Sequence, residues 1–597
     1  MVLSALDWAI VVASLLISLG IGVYASRRSG ESGAEFFLSG RNMPWWLLGV
    51  SMVATTFGAD TPNLVTQIVR ESGVAGNWTW WAFLLTGMLT TFVYAKLWRR
   101  SGVATDLEFY ELRYSGSVAS FLRGFRAVYL GVVFNVIVMG TVCLAGVKLG
   151  AGLLGLTAVE TLVMTSVVTV AYAAFGGLRG VILTDFFQFG LAMVGSVGAA
   201  YYVVSLPEVG GLGGLLADAA VSSRTALLPD FSDAGVYVPV LLVPLAVQWW
   251  ASWYPGAEPG GGGYVAQRML AAKSEGHALG ATFFFNVAHY ALRPWPWILV
   301  ALASLVLYPE LADLQAAFPE LPVEQRTDDL GYPIMLRLLP SGLLGIVVAS
   351  LAAALMSTLS THLNWGSSYL VNDVYVRFLR PDAGPRQQVA AGRVATVGLM
   401  ALALAFALVL ESALSGFEIL LQIGAGTGLI FILRWLWWRI NAYSELAGMI
   451  ASFAVALYFG IGHERLLGLA PLPGYVQLLC GVGITTGAWL AVTFATRPTA
   501  PEVQRAFVAQ VRPPLLGWRG SPALTQLSRE ASSGVRGPAG RLSAQLIAAF
   551  LGSLAVYAAL FATGNLLYGA TTAAVVGAAI LLAAGGALLA LVRSGRT

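Results

Sequence analysis

The chain has 597 residues, of which 57% are hydrophobic and only 11% are charged, and its mean hydropathy is +0.75. Soluble domains carry about 25% charged residues, so this composition excludes a soluble catalytic domain of any size. Apolar runs of roughly 20 residues recur along the whole chain, and they predict an all-α polytopic membrane protein. The net charge of +4 is small, and the placement of the charges says more than their sum.

In chain order, the apolar runs predict about fifteen transmembrane helices. The first run, Leu6–Tyr24, has neither a basic leader nor a small-residue cleavage site, so we interpret it as a retained helix and not as a signal peptide. The expected spans are 5–25, 44–70, 77–99, 120–150, 157–176, 181–205, 237–266, 277–307, 333–376, 387–411, 415–437, 441–461, 474–495, 542–564 and 568–593.

Basic residues are concentrated in alternate loops, which the positive-inside rule assigns to the cytoplasm. These loops carry Arg27, Arg28, Arg41, Arg99, Arg100, Arg113, Arg123, Arg126, Arg179, Arg268, Lys273, Arg377, Arg380, Arg386, Arg434 and Arg439. The opposite loops are acidic and carry Glu208, Asp218, Asp230, Asp233, Glu310, Asp313, Glu320, Glu324, Asp328 and Asp329. We therefore expect the N-terminus outside the cell and the C-terminus in the cytoplasm. Residues 496–541 are then a cytoplasmic linker, and residues 542–597 an appended transmembrane hairpin.

The second predicted helix is interrupted near its middle by the segment Ala54-Thr-Thr-Phe-Gly-Ala-Asp-Thr-Pro62. An aspartate inside a membrane helix costs roughly 2.5–3.5 kcal/mol on insertion scales and is usually functional. Asp60 is therefore a candidate binding residue. The alternative is an interfacial residue near a short helix end, although apolar sequence continues as far as Ile68.

The seventh predicted helix is interrupted by Glu258-Pro-Gly-Gly-Gly-Gly263. Proline removes a backbone donor and glycine has low helix propensity, so helical structure should fail here. In a bilayer such a break is tolerated only where protein or a water-filled cavity surrounds it. Because Glu258 lies at the break, we expect it to face a ligand. The alternative is a flexible loop at the membrane surface.

The two breaks lie five helices apart and in helices of opposite direction. Paired broken helices in inverted repeats are typical of secondary transporters, which bind their cargo near the breaks. The sequence therefore predicts two inverted five-helix repeats, at about 44–205 and 237–437.

The ninth predicted helix contains Ala354-Leu-Met-Ser-Thr-Leu-Ser-Thr-His-Leu-Asn364. Helical spacing places Ser357, Ser360, Thr361 and Asn364 along one side, with Thr358 beside them. Hydroxyl oxygens are hard neutral ligands that suit a dehydrated alkali cation. A helix-packing face of small residues is the alternative, but the two breaks favour ion coordination.

Over residues 5–495 the chain resembles the sodium:solute symporter family. The resemblance rests on Phe36-Phe-Leu-Ser-Gly-Arg-Asn-Met-Pro-Trp-Trp46, on Gln267-Arg-Met-Leu-Ala-Ala-Lys-Ser274, and on Ala354–Asn364 with Asn372-Asp-Val-Tyr375. It implies a LeuT-like fold of five plus five helices in inverted repeat, with one extra N-terminal helix and extra C-terminal helices.

The resemblance also implies the sodium ligands. One sodium ion would be held by backbone carbonyls of Ala54, Phe57 and Ala354 and by the hydroxyls of Ser357 and Thr358. Some family members bind a second sodium, for which the matching residues here are Asp185, Ser360 and Thr361. Asp185 has an alternative role, since it could cap a helix near the cytoplasmic face.

The solute site departs from the sugar carriers of the family, because Glu258 matches the position of their aromatic gate. The expected solute-binding residues are Thr55, Asp60, Thr61, Asn135, Glu258 and Gln422. Two carboxylates favour an amine or another cationic group, yet both could instead pair with Arg293 or bind polyol hydroxyls. Arg293 and His289 are one helical turn apart in the next helix.

The sequence thus predicts a sodium-coupled symporter in the cell's inner, or plasma, membrane that imports a small polar organic solute by alternating access. Its expected partners are sodium ions, the solute and lipid, with no nucleic acid. The oligomeric state stays open, with a monomer as one interpretation. Proton coupling through Asp60 or Glu258 and a membrane sensor are the alternatives. An enzyme is disfavoured, because no metal-ligand histidine cluster or nucleophile motif is found.

Overall fold

The computed structural model describes residues 3–150, 153, 155–254, 256–319, 323, 326–408, 425–523 and 542–595. Within these ranges the chain forms helices and their connections. The longer α-helices are Ala5–Ser29, Trp45–Thr55, Thr61–Ser72, Ser117–Val128, Asn135–Leu149, Ala158–Val204, Gly263–Ala271, Glu275–Val287, Pro294–Leu307, Leu343–Tyr369, Pro385–Ala407, Gly428–Leu436, Ala442–Leu457, Gly474–Ala495, Pro501–Val511, Leu542–Leu567 and Thr571–Arg593.

Shorter pieces connect or extend these helices. The short α-helices are Gly33–Leu38, Trp78–Trp81, Leu84–Leu89, Ala95–Ser101, Phe109–Arg113, Gly211–Ala217, Ala219–Ser222, Ala234–Tyr237, Trp249–Ala251, Leu311–Ala317 and Gly331–Leu336. Stretches with wide, π-type turns are Thr90–Tyr94, Tyr129–Phe134, Val238–Leu242, Pro244–Gln248, Ala288–Leu292, Leu370–Leu379 and Tyr458–Leu466. Tight 3₁₀ turns are Ser39–Arg41, Val74–Asn77, Asp328–Leu330 and Leu516–Trp518.

Eleven helices in the described ranges are long and apolar enough to cross a membrane. The predicted class of multi-pass, all-α membrane protein is therefore confirmed. Two predicted spans, 44–70 and 77–99, are instead assembled from shorter helical pieces. The number of about fifteen spans stays a prediction, since residues 409–424 lie outside the described ranges.

The predicted fifth and sixth spans form one element, Ala158–Val204, that is divided at Gly177. Thr157 caps its N-terminus and Glu160 closes the capping box. Gly177 has φ 53° and ψ −159°, and a β-carbon there would lie 2.7 Å from the carbonyl oxygen of Phe36. Only glycine fits this backbone conformation so close to Phe36. The chain therefore changes direction at Gly177 without a loop between the two helical segments.

The first break lies between the helices Trp45–Thr55 and Thr61–Ser72 and comprises residues 56–60. The second break lies between Trp249–Ala251 and Gly263–Ala271, and its residues 257–262 are buried. The glycine run is therefore packed inside the protein and is not a surface loop.

Helix Leu343–Tyr369, here called the hydroxyl helix, is central to the packing. Nearly all of its residues are buried. It packs against Ala158–Val204, Pro385–Ala407 and Asn135–Leu149. Hydroxyl side chains in this helix therefore face protein and not lipid.

The two C-terminal helices pack against the rest of the chain through Leu542–Leu567. The Tyr557 hydroxyl donates to the carbonyl oxygen of Trp81 at 2.9 Å, and Gly552 and Gly564 allow close approach to Met88 and Trp295. Helix Thr571–Arg593 packs on Leu542–Leu567. The division of the chain into symporter domain, linker and hairpin stays a prediction.

The first part of the predicted linker is folded. Phe507, Val511 and Trp518 are buried, and the Trp518 Nε1 donates to the carbonyl oxygen of Trp435 at 3.0 Å. This segment therefore packs under the end of helix Gly428–Leu436. Residues 524–541 lie outside the described ranges.

Replacing Gly260 by alanine should destabilise the second break. Gly260 has φ +75°, and a β-carbon there would lie 2.7 Å from the carbonyl oxygen of Phe431. Left-handed backbone and overpacking together should cost about 2–5 kcal/mol, so we expect a lower melting temperature for purified Gly260→Ala. In the matched control Gly190→Ala, the glycine lies within a helix with open space around it, and the change should stabilise by about 0.5–1 kcal/mol. Equal melting temperatures for Gly260→Ala and the wild type would contradict the packing described.

Candidate functional site

The first break contacts the hydroxyl helix through Thr358. The Thr358 Oγ1 lies 2.9 Å from the carbonyl oxygen of Thr55 and 3.1 Å from that of Ala354. The five residues predicted for the first sodium site are all buried: Ala54, Phe57, Ala354, Ser357 and Thr358. Carbonyls exposed by an unwound helix are the usual sodium ligands of broken-helix transporters. Thr358 thus joins the end of helix Trp45–Thr55 to the hydroxyl helix by a hydrogen bond.

Asp185 lies in the interior, next to the first site. It accepts hydrogen bonds from Ser51 Oγ at 2.5 Å and from Ser357 Oγ at 2.7 Å. It has no solvent exposure, and the guanidinium of Arg268 is 3.8 Å away. Since Asp185 is buried well inside its helix, it does not cap a helix at the membrane surface.

The other two residues predicted for a second sodium have separate partners. Ser360 Oγ donates to the carbonyl oxygen of Ser357 in its own helix at 3.0 Å. Thr361 Oγ1 lies 2.9 Å from Thr55 Oγ1 and accepts from Arg268 at 2.7 Å. The carboxylate of Asp185 thus accepts hydrogen bonds from Ser51 and Ser357, whereas Thr361 contacts both Thr55 and Arg268.

Arg268 is a site residue that the sequence did not identify. Its side chain has no solvent exposure, and it donates to Ser51, Thr361 and the Gln267 side chain. The sequence placed it among the loop arginines that report orientation. The position of Arg268 five residues after the glycine run could have indicated that it lies inside the protein, because the chain has not yet left the interior there.

Asp60 and Arg293 lie at the first break, where a β-carbon on Gly58 would overlap Asp60 Oδ1 and lie 3.6 Å from Thr358 Oγ1. Asp60 is half-buried. Arg293 donates to Thr56, and His289 bridges the two with Nδ1 at 2.9 Å from Thr56 Oγ1 and Nε2 at 3.1 Å from Arg293. Thr61 Oγ1 donates to the carbonyl oxygen of Thr56 at 3.3 Å.

Glu258 lines a cavity of about 390 Å³ beside the second break. The carboxylate is 8% exposed and accepts the Gly256 amide at 3.1 Å. The cavity is lined by Asp106, Leu107, Tyr110, Arg126, Leu130, Trp253, Glu258, Gly261, Gly262, Gly263, Trp365, Phe431 and Arg434. Asp60 is not part of this lining.

The remaining predicted solute residues are spread over the interior. The side-chain oxygen of Asn135 lies 2.5 Å from His362 Nδ1, and its amide donates to the His362 carbonyl oxygen at 2.7 Å. Thr55 faces Thr361. Gln422 lies outside the described residues. Of the predicted solute residues that the structure describes, only Glu258 lines the cavity.

Comparison with known proteins identifies the family. The model of the sodium:solute symporter family matches residues 36–452, which is more than half of the chain. The sodium/glucose cotransporter of Vibrio parahaemolyticus is 26% identical over 475 residues, covering 76% of this chain and 85% of the relative. Sodium/glucose cotransporter 1 of Oryctolagus cuniculus is 24% identical over 497 residues, covering 76% of this chain and 72% of the relative.

A solved structure supports the predicted fold. The substrate-bound, outward-open structure of a Na⁺-coupled sialic acid symporter aligns with a TM-score of 0.66 at 21% identity, covering 83% of this chain and 99% of that one. The LeuT-like fold is thereby confirmed. The family consists of transporters and not enzymes, and sodium is its coupling ion. This chain therefore belongs to the sodium:solute symporter family.

Proposed function

We propose that the chain imports a small polar organic solute together with sodium by alternating access. The observation that carries this proposal is the contact of Thr358 with the carbonyls of Thr55 and Ala354. A sodium ion held by the carbonyls of Ala54, Phe57 and Ala354 and by the hydroxyls of Ser357 and Thr358 would join the first break to the hydroxyl helix at this contact. Because sodium would join these two elements in one conformation only, sodium binding would shift the protein toward that conformation and so change the solute path.

The membrane potential would supply much of the driving force. Each sodium ion entering the cell gains about 2.3 kcal/mol per 100 mV. The basic loops support a plasma-membrane protein with its N-terminus outside and its C-terminus in the cytoplasm.

The solute is proposed to carry amino or hydroxyl donors and not to be a simple anion. The support is a buried carboxylate, Glu258, on the cavity beside the second break, with Asp60 at the first. A buried carboxylate is retained only where hydrogen bonds or an opposite charge compensate it. The named relatives carry glucose and the structural relative sialic acid, which are polar organic solutes as well.

Removing the Thr358 hydroxyl should weaken sodium binding. We expect sodium, and not potassium, to raise the melting temperature of the purified wild type. Loss of one oxygen ligand to a cation costs about 1.5–3 kcal/mol, so Thr358→Val should bind sodium about 10- to 100-fold more weakly in a thermal-shift titration. The matched control Thr358→Ser keeps the hydroxyl and should stay near the wild type. Equal stabilisation of the wild type by sodium and potassium would contradict the assignment.

Asp185 allows a separate test of a second sodium. If two ions are used, the Hill coefficient of sodium-driven uptake should be about two, and Asp185→Asn should lower it toward one. Ser51→Ala removes one hydrogen bond to the same carboxylate and should have a smaller effect. A wild-type coefficient of about one, with one charge moved per solute, would leave Asp185 with a structural role.

A further inference from the structure

We propose that the cavity beside the second break is a binding site for a zwitterion, with the anionic group of the ligand on Arg126 and Arg434 and its amino group on Glu258. This inference rests on the proposed function, since it specifies the class of solute that the symporter carries. The empty space between the lining side chains, counted together with the part that is open to solvent, is about 390 Å³.

The two arginines of the cavity lining carry hydrogen-bond donors without an acceptor among the described residues. Arg126 is 6% exposed and Arg434 is 4% exposed. The Nε and one terminal nitrogen of Arg126, and the Nε of Arg434, have no hydrogen-bond acceptor among the described residues. Buried donors without acceptors are costly, so a ligand that accepts from them gains affinity.

The nearby carboxylates do not use these donors. Glu445 lies 3.8 Å from Arg126 and 3.7 Å from Arg434, beyond hydrogen-bond distance, and accepts from the hydroxyls of Tyr110 and Tyr114 instead.

Asp106 is occupied as well. It accepts from the Tyr369 hydroxyl and from the Gly263 amide, the latter at 2.9 Å. Glu445 therefore pairs with the two guanidinium groups by charge, but neither carboxylate accepts a hydrogen bond from the unused nitrogens. A guanidinium presents a planar fork of N–H donors that matches a carboxylate, so the free donors favour a ligand with that group.

Glu258 supplies the opposite charge. Its hydrogen bond to a protein donor comes from the Gly256 amide, and it forms no ion pair with a described Lys, Arg or His. One oxygen lies against Gly263, where a β-carbon would come within 2.8 Å. A glycine here leaves the carboxylate accessible from the cavity. An ammonium group could then bind it without competing with a protein cation.

The cavity presents two sets of fixed charges of opposite sign. Its lining holds the cations Arg126 and Arg434 and the carboxylates Asp106 and Glu258, while Glu445 lies 3.7–3.8 Å from the two arginines and outside the lining. An anion alone would leave Glu258 without a partner, and a cation alone would leave the arginine donors without an acceptor. A zwitterion matches both sets, and the rings of Trp253, Trp365 and Phe431 can cover its apolar part.

The test uses the purified full-length protein in sodium buffer and a panel of probes in a thermal-shift assay. The zwitterions are glycine, β-alanine, γ-aminobutyrate and L-phenylalanine, which separate the two charges by different lengths. D-glucose, acetate and methylamine represent a polyol, an anion alone and a cation alone. We expect at least one zwitterion to raise the melting temperature in sodium, and acetate and methylamine to have no effect.

Variants of the lining residues then test whether the zwitterion binds in this cavity. Arg126→Gln and Glu258→Gln should each weaken binding of the stabilising zwitterion about 10- to 100-fold. Sodium alone should still stabilise both variants. Arg126→Lys keeps the charge but loses the fork and should weaken binding as well. The control Arg377→Gln removes a half-exposed cation that pairs with Glu111 and should bind like the wild type.

The outcomes separate this inference from the proposed function. If sodium stabilises the wild type but none of the zwitterions does, the zwitterion site is overturned, whatever else binds. It is also overturned if a zwitterion binds with equal affinity to the wild type, Arg126→Gln and Glu258→Gln. If sodium itself has no effect on the wild type, the sodium site fails first. The measurements of the probes on the wild type test the zwitterion site even if a variant does not fold.

Discussion

Backbone groups released by a helix break inside a membrane must find partners within the protein, and this constraint organises the structure. At the first break, the Thr55 carbonyl meets the hydroxyl of Thr358. At the second break, the Gly263 amide donates to Asp106 and the Gly260 carbonyl accepts from Trp98. Broken-helix transporters use backbone groups of this kind to bind their ions and solutes.

The interior beside the breaks contains several charged side chains. Arg268 binds hydroxyls next to Asp185, Arg293 contacts the first break, and Arg126 and Arg434 line the cavity at the second. Arg268 lies 3.8 Å from Asp185, and Arg126 and Arg434 lie 3.8 and 3.7 Å from Glu445, so three of these four cations have a carboxylate nearby. Balanced charge inside the protein is the condition under which ionisable groups are retained at such a depth.

The breaks and the hydroxyl helix could be predicted because they are local in sequence. Proline, glycine runs and hydroxyls at helical spacing identified Glu258 and Thr358 without knowledge of their partners. The interior arginines could not be identified, because Arg268 is marked as part of the site by contacts to residues more than 90 positions away. Counting arginines along loops treats Arg126 and Arg434 as markers of orientation, whereas their side chains point into the protein.

Arg377, in contrast, is exposed and pairs with Glu111. Partial burial raises the pKa of Glu111, but hydrogen bonds from Arg377, Ser120 and Arg123 outweigh it and lower the pKa to about 2. Since the pKa in the folded state is below the ordinary value of 4.5, this cluster stabilises the fold above that pH. The contribution is lost as the pH falls from 4.5 to about 2.

The central claim is that sodium joins the first break to the hydroxyl helix. Hydrogen–deuterium exchange of the purified protein, in sodium and in potassium at equal ionic strength, tests it most directly. The account predicts that sodium slows exchange in peptides covering residues 45–60 and 350–365, while peptides of the C-terminal hairpin stay unchanged. Identical exchange of these peptides in sodium and potassium would contradict it.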